Sequence, residues 1–155
     1  MNLAKSLKIE SVSRLHPSPP IQLVSTQTVA EAISVLRREK IGCLLICDQG
    51  KLVGLFSERD LLQRIMAAGK PLTLPLADCM TTNPVTVESK DSIAVAIERM
   101  ESGGYRHLPV VDDSGAPVGI LSVKRIVHFI VEHFPGTVYN LPPDPNKVHD
   151  QREGA

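Results

Sequence analysis

Neither sign of charge prevails in this chain: 17 Lys and Arg are matched by 17 Asp and Glu, and the formal net charge is zero. A protein that holds nucleic acid through counterion release needs a strongly basic face, so that class is excluded, although a small basic pocket is not. Long apolar runs are absent too. No stretch approaches the ~20 apolar residues of a membrane span, and no membrane partner is expected. Met1-Asn2-Leu3-Ala4-Lys5-Ser6-Leu7-Lys8 lacks the apolar centre of a signal peptide. Cysteine is scarce and odd in number, with Cys43, Cys47 and Cys79 in apolar or helix-entry contexts. The reducing cytoplasm is therefore the expected compartment. Cys43 and Cys47 have no partnering Cys or His cluster, so they read as buried strand thiols and no metal is expected. Catalytic signatures are missing as well: no Gly-x-Ser-x-Gly, no phosphate-cradling Gly-x-x-x-x-Gly-Lys, no dinucleotide glycine fingerprint. His16, His128, His133 and His149 stand without a paired nucleophile in sequence, and no enzymatic role is assigned.

What the chain does have is a repeat. Thr28-Val29-Ala30-Glu31-Ala32-Ile33 is answered by Ser92-Ile93-Ala94-Val95-Ala96-Ile97 at an offset of 64 residues. Gly54-Leu55-Phe56-Ser57 is answered by Gly119-Ile120-Leu121-Ser122 at 65, one residue having entered at the turn Asp113-Ser114-Gly115. A repeat this long is a whole supersecondary unit, and the junction between two copies is where a ligand would be sought first. The 155 residues, 43% of them apolar and 22% charged, suffice for one compact domain or two small joined ones.

Each copy reads as β-α-β-β-α. Thr28 and Glu31 have the spacing of a capping box, so a helix begins there and ends in Arg37-Arg38-Glu39-Lys40. Cys43 to Cys47 is a continuous apolar strand, Asp48-Gln49-Gly50 a turn, and Lys51 to Phe56 the returning strand. A second helix runs from Ser57 to about Ala68, closed by Gly69. The second copy predicts a helix from Ser92 to about Ser102, strands Leu108 to Val111 and Val118 to Leu121, and a helix from Ser122 to about His133. Short strands, Pro20 to Val24 and Pro84 to Val87, lead into each copy. Residues 1–10 form an arm, either a short helix or a mobile segment. Residues 135–155, with Pro135, Pro142, Pro143 and Pro145, form an extended tail whose Val138-Tyr139-Asn140-Leu141 either docks on a neighbouring subunit or stays loose.

The paired units, the segment Tyr105-Arg106-His107-Leu108-Pro109-Val110-Val111-Asp112 and the repeated Gly-aliphatic-x-Ser before each last helix resemble a tandem pair of CBS domains. These are named for cystathionine β-synthase. The resemblance covers roughly residues 11–134, as one repeat over 11–74 and another over 75–134. It implies an α+β fold with the repeats packed as a pseudo-twofold pair. It also implies a regulatory module that binds an adenosyl ligand between the copies and associates as a homodimer.

Carried onto this sequence, the resemblance implies specific residues. Ser57 and Asp60 match the motif that binds the ribose. A carboxylate accepts from both hydroxyls of a vicinal diol, although Ser57 as N-cap with Asp60 three residues on is equally explained as helix capping. Arg106 and His107 match residues that face ligand phosphates, and each also has an ordinary reading as a solvated charge and a carbonyl-bonded ring. Lys124 is a secondary anion contact. Asn83, Pro84 and Val85 match positions beside the adenine, with Ile41 and Val85 supplying apolar faces, and each is equally an ordinary turn or strand residue. The other half-site is degenerate: Arg125 stands where the acid belongs and has no acceptor, while Gly42 and Cys43 stand where the basic pair belongs. One complete site is therefore expected, taking AMP, ADP, ATP or S-adenosylmethionine and signalling to a partner protein. The alternative is a ligand-independent dimerisation or assembly module with no small-molecule site.

Overall fold

Thr28 and Ser92 begin the two principal helices, and each does so by the same local chemistry. The Thr28 hydroxyl accepts from Glu31 N at 3.2 Å while Glu31 Oε2 accepts from Thr28 N at 3.2 Å, a reciprocal capping box. Ser92 Oγ accepts from Val95 N at 3.2 Å. The computed structural model describes residues 2–134, so the Pro-rich tail and its Val138–Leu141 segment lie outside the described residues.

The elements, in order, begin with α1 (Leu3–Ile9), a 3-10 turn (Val12–Leu15), β1 (Gln22–Leu23) and α2 (Val29–Glu39). Then come β2 (Cys43–Asp48), β3 (Lys51–Ser57) and α3, one α-turn (Glu58–Asp60) continued as a π-helix (Leu61–Met66). After a 3-10 turn (Leu76–Asp78) follow β4 (Thr81–Thr82), β5 (Val87–Glu88), α4 (Ile93–Gly103), β6 (His107–Val111), β7 (Pro117–Ser122) and α5 (Val123–His133). One sheet has the order β1-β2-β3-β4 and the other β5-β6-β7. In both, a parallel lead-in strand is followed by an antiparallel hairpin, with the register irregular at Ile46/Cys47 and again at Val110/Val111. The lead-in strands are shorter than the apolar pattern suggests, two residues each, because each pairs with only a short stretch of the neighbouring strand.

β2 is apolar from Cys43 to Cys47 because both of its faces are covered. Leu44 and Ile46 join Val29, Ala32, Phe56 and Ile65 under the helices, while Leu45 and Cys47 turn the other way and meet Ile120 of the second repeat. That contact is the seam between the two sheets. Cys43, Cys47 and Cys79 are buried free thiols. Among the described residues no group of three or more His, Cys, Asp or Glu could hold a metal ion, and no helix is long and apolar enough to cross a membrane.

The lead-in segments cross over. Val12 and Leu15 are buried in the core of the second repeat with Val87, Ile93, Leu108 and Phe129, and Leu7 of the arm packs against them. Leu76, Cys79 and Met80 are buried in the core of the first. Matching backbone bonds fix both crossings: Ile93 N donates to Glu10 O at 2.9 Å, and Val29 N to Leu74 O at 3.0 Å.

Candidate functional site

Ser57 ends β3 in an extended conformation and caps α3. Its backbone N–H donates to Asp60 Oδ2 at 3.0 Å, its hydroxyl to the same oxygen at 3.1 Å, and Asp60 N donates to Ser57 Oγ at 3.2 Å. Asp60 is only 6% exposed. Its other oxygen accepts from Thr81 Oγ1 at 3.2 Å and pairs with Arg64 Nε at 3.4 Å. An ionised carboxylate has about four acceptor positions, so Asp60 is fully engaged. Two of its four partners are hydroxyls, those of Ser57 and Thr81. Thr81 was invisible as a site residue in sequence, although it lies just upstream of the Asn83-Pro84-Val85 segment. Arg64 was missed too; the wide π turn carries it to Met80 O at 2.8 Å as well as to Asp60.

Across β2, Cys43 pairs with Ser57, which brings its thiol beside Asp60. Burial pushes that thiol up to about 12, and the Asp60 charge pushes in the same direction.

The basic residues gather on the second repeat. His107 opens β6 opposite Ser122, and Val123 N donates to Arg106 O at 3.0 Å, so Arg106, His107 and the start of α5 are held together. Lys124 and Arg106 are exposed and His107 is half-buried. Burial holds the imidazole pKa below its ordinary 6.5; Glu58 opposes that, and Arg106 and Lys124 reinforce it. The first repeat reaches this cluster through the turn of α3: Arg59 Nη1 donates to Gly104 O at 3.3 Å, and Glu58 lies over Gly42 close to the His107 ring. The Glu58 carboxylate acts on His107 by its charge, while Asp60, two residues on, is buried.

Asn83 adopts a left-handed conformation with φ 47 and donates its N–H to Val53 O at 3.3 Å. Pro84 is half-buried, and Val85 is exposed. Val85 helps line a cavity of about 480 Å³ with Val95, Glu98, Arg99, Ser102, Gly103 and Tyr105. The Tyr105 ring lies in the space that a Cβ on Gly103 would fill. Asp60, Arg106 and His107 do not line this cavity; Tyr105 joins it to the basic cluster only by preceding Arg106 in the chain. Ile41 belongs with the apolar residues packed against the first core.

At the corresponding place in the second repeat the polarity is reversed. Ser122 caps α5, Arg125 N donating to its hydroxyl at 3.3 Å, but Arg125 replaces the acid and its guanidinium donates to Ser18 Oγ at 3.4 Å. Ser18 bridges Ile120 much as Thr81 pairs with Leu55. A hydroxyl that serves a carboxylate in one half thus serves a cation in the other.

The family model for the CBS domain matches this geometry's sequence twice, over residues 12–67 and 76–132. The chain belongs to the CBS domain family, with two repeats in an α+β arrangement. Among curated relatives, the meiotically up-regulated gene 70 protein of Schizosaccharomyces pombe is 32% identical over 151 residues, 96% of this chain but 20% of that protein. CBS domain-containing protein YhcV of Bacillus subtilis is 31% identical over 97 residues, 63% of this chain and 69% of that one. The chain thus spans about a fifth of the fission-yeast relative's length. Among solved structures, a Pyrobaculum aerophilum CBS domain protein complexed with AMP is 31% identical, with a TM-score of 0.70 over 75% of this chain and 89% of that one. The CBS domain pair of protein MJ0100, complexed with 5-methylthioadenosine and S-adenosyl-L-methionine, is 28% identical, with a TM-score of 0.72 over 78% and 99%.

Proposed function

We propose that this chain is a regulatory module that binds an adenosyl ligand across the seam, with Ser57, Asp60 and Thr81 at the ribose and Arg106, His107 and Lys124 at the phosphate. Asn83, Pro84 and Val85 flank the base. The observation that carries this reading is Asp60, a buried carboxylate two of whose partners are hydroxyls, set in the same short turn as Glu58, whose charge acts on His107 of the opposite repeat. The AMP, methylthioadenosine and S-adenosylmethionine held by related CBS pairs support it. Bound ligand favours one relative setting of the repeats, which a partner protein reads, and no catalytic step is involved. The cytoplasm is the proposed compartment.

Thermal shift with AMP, ADP, ATP and S-adenosylmethionine tests the reading. A binding ligand at a hundredfold excess over its dissociation constant stabilises by about 2.7 kcal/mol. Asp60→Ala should remove the shift, and an unmoved melting temperature with all four ligands would refute it.

One observation favours an assembly role beside this one. Leu62 and Val127, at corresponding positions of α3 and α5, are exposed by 65% and 53%, and Met66 by 62%. An apolar patch repeated about a pseudo-twofold axis suits the self-complementary contact of a homodimer. A monomeric mass in light scattering would count against it.

A further inference from the structure

We propose that Glu58 sets the charge of the ligand, acting as a built-in anion beside the basic cluster that favours an adenosine monophosphate over the di- and triphosphates. This rests on the nucleotide reading above and deepens it. Glu58 is the first residue of α3, and its N–H donates to Gly42 O at 3.0 Å. Its Oε1 lies 2.7 Å from the point that a Cβ on Gly42 would occupy, and His107 Cε1 lies 3.9 Å from that same point. The bare backbone at Gly42 is what lets the Glu58 carboxylate and the His107 ring approach the same point from the two repeats. Any side chain there would push the carboxylate off.

The charges that act on His107 are Glu58 on one side and Arg106 and Lys124 on the other. Among the described residues Glu58 takes part in none of the direct ion pairs, so its charge is not spent on another partner. Among the charges that act on His107, two cations stand against one carboxylate, a single net positive charge. A monophosphate already saturates that. Every further phosphate brings more negative charge toward Glu58. Gly42 is one of the positions at which the first repeat lacks the basic pair, so the same residue that weakens the second half-site makes room for the acid that tunes the first.

Calorimetric titration of the full chain with AMP, ATP and adenosine, in wild type, Glu58→Gln and Gly42→Ala, tests this. The wild type should bind AMP more tightly than ATP. Removing one unit charge at this range in a partly solvated site should narrow the AMP-to-ATP ratio roughly tenfold in Glu58→Gln. Gly42→Ala, which displaces the carboxylate without deleting it, should move the ratio the same way by less, and adenosine should bind all three proteins equally. An unchanged ratio in Glu58→Gln with AMP still bound overturns the inference and leaves the nucleotide reading standing. So does a wild type that prefers ATP, or a Glu58→Gln protein weakened equally toward all three ligands. Failure of the wild type to bind any of them overturns both.

Discussion

Replacing Asp60 by Asn and by Ala separates its structural role from its proposed ligand role, because the four partners divide unevenly between the two oxygens. Oδ2 serves the cap, Ser57 N at 3.0 Å and Ser57 Oγ at 3.1 Å, while Oδ1 serves Thr81 Oγ1 at 3.2 Å and Arg64 at 3.4 Å. An Asn amide can keep its oxygen toward Ser57 and turn its NH₂ toward Thr81, whose hydroxyl rotates to accept. Only the Arg64 pairing is then lost. Arg64 has 48% of its side chain exposed, so that loss is about 1 kcal/mol or less. Ala keeps the cap that the backbone N of residue 60 makes with Ser57 Oγ, but loses the reciprocal half and leaves Ser57 N–H without its acceptor in a half-buried place, for about 2–3 kcal/mol in all. Urea denaturation with an unchanged m-value reads the difference directly. AMP affinity should respond in another order. Both variants lose charge-assisted acceptance of the diol, at roughly 1.5–3 kcal/mol, so Asn should weaken AMP roughly tenfold to a hundredfold despite its mild effect on stability. If Asn costs as much stability as Ala, the division of partners is wrong; if Asn folds well and binds AMP undiminished, Asp60 does not hold the ribose.

Other outcomes follow from the same geometry. His107 titrates lower in the fold than its ordinary 6.5, so as pH falls below 6.5 the unfolded chain takes protons first and stability, measured by urea midpoint, should decline. A bound phosphate favours the protonated ring, so AMP affinity should rise over the same pH range while adenosine affinity stays flat. All three thiols are buried and titrate above their ordinary range, so Ellman's reagent at pH 8 should find none in the native protein and three after unfolding. A Cβ on Gly119 would sit 2.9 Å from Pro17 Cβ and 3.1 Å from Ser18 O, so Gly119→Ala should cost about 1–3 kcal/mol by calorimetric melting, and a neutral result would show that this segment yields.

The repeat carried most of the fold into view. Helix starts at Thr28, Ser92, Ser57 and Ser122 were legible because a hydroxyl three residues ahead of its backbone donor is a local device. β2 and β6 were legible because strands covered on both faces become continuously apolar. The crossing of the lead-in segments was not legible. Val12 and Leu76 look alike in sequence, and only the packing decides which core each enters. β4 was missed because Thr81-Thr82 is too short to show alternation and exists only by pairing with β3. In the candidate site, Ser57, Asp60, Arg106 and His107 were marked by the resemblance to the CBS pair, since spacing alone reads Ser57 and Asp60 as a helix cap. Glu58 and Thr81 take part through contacts between segments far apart in the chain, and no local pattern reports such contacts.

Because each lead-in segment lodges in the opposite repeat, the two halves are interlocked rather than merely adjacent. A fragment beginning at Leu76 would lack Val12 and Leu15 from its interior, and one ending before Leu76 would lack Leu76, Cys79 and Met80 from its own. Neither half holds its whole interior by itself, and any tilt that a bound molecule imposes on one is carried through the crossing segments into the other.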